Sequence, residues 1–252
     1  MKRHPLLVLM SGGLDSVTAL AVTRKRHPHH EIHVLFASFG HRTARQERAA
    51  AKRAAKKYNA TFHECQLRLP WLAKHPLWDP NCRILGTMDP MHDEFLRSQR
   101  KKRSGKDDRG HLLPYRNVLL ASAAAMLAAH VGAMLVYTGW DYGPSPGIAE
   151  DKSPAFVADF NQAVRSATKE AMRHEVPEIT PLFEGYKKSE ILRLASGLGV
   201  DIARTWSCYN AFSRPCGTCG ACWSRIDAHK ETGIADPVKY MKRSTMRRIH
   251  GL

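Results

Sequence analysis

Two stretches of this 252-residue chain gather residue types that do chemistry. The first is SGGLDS, Ser11 to Ser16, directly after the apolar run PLLVLM. Gly12 and Gly13 let the backbone approach an anion with no Cβ in the way. A helix following this turn would add its unpaired N–H groups and the positive end of its dipole. Ser11 and Ser16 offer hydroxyl donors. Asp15 is a hard oxygen ligand suited to Mg2+, an ion that neutralises a pyrophosphate leaving group. Without a ligand, the same residues would form a plain strand-to-helix turn with Asp15 as its cap. No G-x4-G-K-[ST] pattern occurs, so this is not a Walker A loop.

The second stretch, TWSCYNAFSRPCGTCGACWSR, spans 205–225 and holds Cys208, Cys216, Cys219 and Cys222 at C-x7-C-x2-C-x2-C. Such spacings let four sulfurs converge on one ion, and tetrahedral Zn2+ suits four thiolates. On the residues alone, an iron–sulfur cluster and a redox-active C-x2-C pair remain open. Gly217 and Gly220 favour the tight turns that convergence needs. Four thiolates leave no open coordination position, so a zinc here would stabilise the fold and the chemistry would fall to the glycine turn. Cys65 and Cys82 lie outside the array and are expected as a buried apolar residue and a loop thiol.

Elements must bring these stretches into position. PLLVLM, EIHVLFASF and ATFHECQLRL are apolar runs of strand length, separated by helical patterns in VTALAVTRKR and TARQERAAAKRAAKKYN. This alternation predicts a parallel sheet with helices on both faces. A helix from Asn117 and a strand AMLVYTG continue the pattern, followed by helices over about 154–174 and 187–198. Residues 70–113 have little periodicity and are expected as a loop or insertion. The expected division is a Rossmann-like α/β domain over 1–204, a four-cysteine segment over 205–240, and a basic tail over 241–252.

The apolar stretch NVLLASAAAMLAAHVGAMLVY is broken by Asn117, Ser122 and His130, and reads as a buried helix followed by a strand rather than a membrane span. The N-terminus lacks a secretory apolar region, so a cytoplasmic protein is expected. Lys and Arg number 39 against 23 Asp and Glu, a formal net charge of +16. Such an excess fits either a nucleic-acid or other polyanionic partner, or a solvated surface on a small-molecule enzyme. Its densest run, RSQRKKRSGKDDR at 97–109, is expected to be exposed.

SGGLDS after an N-terminal apolar strand resembles the pyrophosphate loop of the N-type ATP pyrophosphatases (PP-loop, adenine nucleotide alpha hydrolase-like). That resemblance implies ATP binding and transfer of AMP to a substrate oxygen. FGHRTARQERAAAKRAA, LLPYRNVLLASAAA, TPLFEGYKKSEILRLASGLGVDIARTWSCYN, PCGTCGACWSR and ETGIADPVKY are similar to one branch, the QueC family of 7-cyano-7-deazaguanine synthases. The likeness implies a carboxylate substrate, 7-carboxy-7-deazaguanine, that is adenylated, amidated by ammonia and then dehydrated to a nitrile. It implies structural zinc on the four cysteines and a homodimer. It makes Lys188 and Arg116 catalytic candidates beside Asp15, and Arg42 and Asn117 candidates for the substrate.

The chain departs from the family on the substrate side. Where the family runs Val-Asn-Ala-x-Asp-Tyr-Ser-Gly-Tyr-Pro-Asp-Cys-Arg, this chain has WDYGPSPGIAEDKSPAF, with Asp141, Tyr142 and Asp151 as counterparts. His41, Arg42 and Thr43 replace Gln-Arg-His, and Tyr115 stands where alanine is usual. Two further readings follow: a QueC-like enzyme joining a deazaguanine to an amine of a partner protein, as in bacterial anti-phage operons, and a tRNA-modifying PP-loop enzyme. A non-enzymatic zinc-ribbon module is disfavoured by the intact SGGLDS.

Overall fold

A computed structural model describes residues 3–79, 84, 113–142, 150–168 and 175–250. The basic run at 97–109, Cys82 and the end of the helix expected over 154–174 lie outside the described residues, as does most of the expected 70–113 loop.

Among the described residues, five parallel strands form one sheet in the order β3-β2-β1-β4-β5: β1 (Leu6–Leu9), β2 (Ile32–Ser38), β3 (Thr61–Gln66), β4 (Leu135–Thr138) and β5 (Glu178–Pro181). The central β1 pairs Leu6 with Ile32 on one side and with Leu135 on the other. Every residue of β1 and β2 is buried, which is why β1 reads as an unbroken apolar run and β2 as one interrupted only by His33 and Ser38. The fifth strand was not anticipated. Four residues with one buried apolar side chain, Ile179, carry no periodic signal.

Helices cover both faces. On one lie α1 (Leu14–Arg26), α2 (Ala44–Lys57) and, later in the chain, Lys188–Gly197, whose Leu20, Ala51, Ile191 and Leu192 pack with Val8, Val34 and Phe36. On the other lie α3 (Arg116–Val131) and α4 (Pro154–Ala167), with Ala121, Ala124 and Ala128 against Leu7, Leu9 and Val136. Alanines at this spacing let α3 sit close to the sheet, and their small side chains explain its apolar yet leucine-poor sequence. Helix α5 is Lys188–Gly197. No helix among the described residues is long and apolar enough to cross a membrane.

A smaller core lies apart from the sheet. Helix α6 (Gly220–Thr232) and helix α7 (Arg243–His250) help enclose the four cysteines, Leu77, Ile84 and Met246. Met246 has no exposed surface, so the segment expected as a basic tail contributes a helix and a buried side chain to this core.

Candidate active site and metal centre

The glycine turn joins β1 to α1 at the carboxyl end of the sheet. Gly12 has φ +78°, and a Cβ there would lie 2.4 Å from the Glu47 carbonyl oxygen in α2. Glycine is therefore required both for its backbone conformation and for this close approach. Gly13 is the N-cap of α1 without a side-chain cap, so the first-turn amides keep their donors for a ligand. The Ser16 hydroxyl donates to the Gly13 carbonyl at 3.1 Å, and Ser11 Oγ lies 3.1 Å from Ser16 Oγ. Leu14, 3% exposed, points into the core and anchors the turn. Glu47 is fixed in turn, accepting from Thr43 Oγ1 at 2.6 Å and lying 3.0 Å from His41 Nε2.

In this sheet the chain winds outward in opposite directions from β1 and β4, and the crevice between them is where ligands of open α/β sheets bind. The turn after β4 closes on the start of α1: a Cβ on Gly139 would stand 2.7 Å from backbone atoms of Asp15 and Ser16. Two residues later comes Asp141, which sets a second carboxylate near Asp15. Between them is Lys188, the first residue of α5. Its ammonium pairs closely with Asp15 Oδ2 and lies 3.4 Å from Asp141 Oδ2. Asp141 Oδ1 in turn receives Lys152 Nζ at 2.6 Å.

Burial raises the Asp15 carboxyl above its ordinary value, with Lys188 pulling the other way. Burial alone would lower Lys188, but Asp15 and Asp141 outweigh it and hold the ammonium above the usual lysine range. At Asp141, burial is outweighed by Lys188 and Lys152, and its carboxyl sits below the usual value. The result is a balanced set of two carboxylates and two ammoniums at the mouth of the glycine turn. The other carboxylate oxygen of Asp15, Oδ1, is buried with no hydrogen-bond partner among the described residues. An unpartnered buried carboxylate oxygen is costly and fits a divalent cation.

The remaining predicted residues fall around this centre in different roles. Arg116 opens α3 after Tyr115, which has φ +60° and is 78% exposed. The positive charge of Arg116 acts on the Tyr209 hydroxyl, which burial raises above its ordinary value and which Lys188 also influences. Asn117 is committed to Asp151: its backbone N and side-chain Nδ2 each donate to that carboxylate at 3.0 Å. Tyr142 donates to Glu150 at 3.4 Å. Arg42 bonds to the segment after β3 and to the cysteine core. Its guanidinium donates to the carbonyls of Pro76 at 3.1 Å and Asp79 at 3.2 Å and to Asn210 Oδ1 at 2.6 Å, tying the 76–79 segment to the cysteine core.

The four sulfurs of Cys208, Cys216, Cys219 and Cys222 all lie within 4.8 Å of one another, and each residue is buried. A tetrahedron with metal–sulfur bonds of about 2.3 Å has sulfurs about 3.8 Å apart; here Cys208–Cys216 is 3.5 Å and Cys216–Cys222 is 3.8 Å. Backbone amides of Asn210 and Cys216 point at Cys208 Sγ at 3.3 Å, and those of Thr218 and Cys219 at Cys216 Sγ at 3.4 and 3.3 Å. Amide donors of this kind stabilise thiolate charge around a bound ion. Cys65 is half-buried on β3, away from the array.

The cysteine core is joined to the glycine turn. Trp206 N donates to the Gly12 carbonyl at 2.9 Å, two residues before the first ligand. The segment before Trp206 is held by Arg225, 5% exposed, which donates to Thr205 Oγ1, to the Ile202 carbonyl and to the Asp236 carboxylate. Asp236 also accepts from the Tyr240 hydroxyl at 2.6 Å.

Comparison with known proteins places this geometry. Residues 5–233 match the family model described as Queuosine biosynthesis protein QueC. A 7-cyano-7-deazaguanine synthase from Methanospirillum hungatei is 31% identical over 235 residues, covering 92% of this chain and 97% of the relative. Its namesake from Marinobacter nauticus is 30% identical over 240 residues, covering 93% and 96%. Among solved structures, the U34-tRNA thiolase NcsA from Methanococcus maripaludis superposes with a TM-score of 0.46 at 13% identity, covering 92% of this chain and 68% of that one.

Proposed function

This chain belongs to the QueC family, and on that premise we propose that it activates the carboxylate of 7-carboxy-7-deazaguanine with ATP and converts it to the nitrile, 7-cyano-7-deazaguanine. The observation that carries the reading is the centre at the glycine turn. There Lys188, Asp15 and Asp141 face one another beside the uncapped start of α1.

A carboxylate is a poor acyl electrophile, and attack of its oxygen on the α-phosphorus of ATP, with loss of pyrophosphate, gives it AMP as a leaving group. The first-turn amides of α1 and the Ser11 and Ser16 hydroxyls receive the departing phosphates. Lys188 stabilises charge that grows on the α-phosphate, and Arg116 adds a second cation at the start of α3. Asp15 would hold Mg2+ through its unpartnered oxygen, the ion supplying charge neutralisation of pyrophosphate when bound. Ammonia then adds to the acyl carbon and AMP leaves, giving the amide. Activation of the amide oxygen by a second ATP, followed by loss of AMP and protons from nitrogen, gives the nitrile. In both rounds the protein's work is positioning and charge stabilisation. Asn117, Asp141 and Tyr142 border the substrate side. The cysteines would hold Zn2+ as a closed structural site that keeps Trp206 against Gly12.

The test is AMP release with 7-carboxy-7-deazaguanine, with and without ammonia, followed by mass spectrometry. Nitrile formed with ammonia and two AMP per product is the expected outcome. Failure to form AMP from this acid overturns the reading of the substrate.

A further inference from the structure

The charged centre contains one residue to which neither the glycine turn nor the cysteine array points. Lys152 sits in the short 3-10 turn Glu150–Lys152, and its side chain is 23% exposed. Its backbone is anchored on both sides. Asp151 clamps the backbone and side chain of Asn117 at the start of α3. Ser153 caps α4 by accepting from Phe156 N at 3.1 Å, with Pro154 behind it. The lysine is thereby held where its ammonium meets Asp141 Oδ1 at 2.6 Å.

The two oxygens of Asp141 are shared between two ammoniums, Lys152 on Oδ1 and Lys188 on Oδ2 at 3.4 Å. When the polyphosphate of ATP enters, Lys188 has to give up carboxylate contacts to reach it. A carboxylate with no other partner competes strongly for that lysine at this separation and burial. One already neutralised by a second ammonium competes far less.

We propose that Lys152 is a positioning residue of the activation centre: by occupying Asp141, it keeps that carboxylate from capturing Lys188, so that Asp15 is the one carboxylate partner of this pair that Lys188 exchanges for the phosphates. This rests on the ATP-activating reading of the site. The role is indirect, so removing Asp141 should make Lys152 dispensable.

A double-mutant cycle tests it with two readouts: affinity for Mg2+–pyrophosphate by calorimetry, and the rate of AMP formation. Lys152→Met is expected to weaken pyrophosphate binding about fivefold to tenfold and to slow AMP formation by at least about tenfold, with the melting temperature kept. Lys152→Arg should retain most of both. In the Asp141→Asn background, Lys152→Met should change either quantity by less than about threefold. An equal cost in both backgrounds, or no cost in the wild-type background, overturns the proposal. Failure of the wild-type protein to bind Mg2+–pyrophosphate or to form AMP would instead overturn the ATP-activating reading.

Discussion

Asp15 combines a tight ion pair on one oxygen with a second, buried oxygen that accepts no hydrogen bond among the described residues. An amide at this position keeps the size of the side chain but loses the charge that would hold a divalent cation and orient Lys188. Asp15→Asn should therefore lower the rate of AMP formation by about 100-fold or more while moving the melting temperature by only about 2 °C, measured by product assay and thermal melt on the same sample. A variant within a few-fold of wild type would remove Asp15 from the mechanism. How much of this centre could be read in the sequence depends on separation along the chain. Ser11 to Ser16 announce themselves because the glycines and the acid are contiguous. Lys188 lies 173 positions from Asp15, so only its likeness to a family segment singled it out. Lys152 had neither signal, because its meaning comes from Asp141, a residue of a different turn. Gly139 reads as a strand ending, and its need for no side chain appears only when α1 is set against it. Arg42 carries bonds that its motif does not announce, to the Pro76 and Asp79 carbonyls and to Asn210.

Among the elements, the strand–helix alternation through β3 was readable because β1 and β2 are buried on both faces and α2 carries its alanines on one side. The short β5 was not, since its place is set by pairing with β4 rather than by its own pattern. The cysteine segment was readable as a metal site from spacing, but its connection to the glycine turn was not, because it runs through the backbone of Trp206. That connection makes a specific claim about Cys219→Ser. A structural zinc contributes on the order of 10 kcal/mol to the folding of its module, as much as the whole stability of a typical domain. The variant should lose most of its zinc by elemental analysis and melt at least several degrees lower. Its affinity for Mg2+–pyrophosphate should fall as well, since Trp206 no longer braces Gly12. A zinc-free variant with unchanged stability would contradict a structural role.

Across the whole molecule, the cysteine segment is bonded to the glycine turn through Trp206 and Gly12. Its latch is Arg225 with Asp236, and this has a pH signature. Burial pushes the Asp236 carboxyl up, but hydrogen bonds from Arg225 and Tyr240 outweigh burial and leave it below the usual carboxylate value. A carboxyl depressed in the folded state stabilises fully above its unfolded value, about 3.9, and that stability is lost as pH falls through the folded value. Asp236→Asn should thus lower the melting temperature at about pH 7, and its deficit relative to wild type should shrink below about pH 4. A deficit independent of pH would assign Asp236 a role other than its charge. The bond between Trp206 and Gly12 also sets an order of events during synthesis. The five strands of the described residues have been made once residue 181 leaves the ribosome, yet the glycine turn still lacks its partner Trp206. A growing chain can bury much of its hydrophobic surface early, but the Trp206–Gly12 bond waits until the cysteine segment has been made.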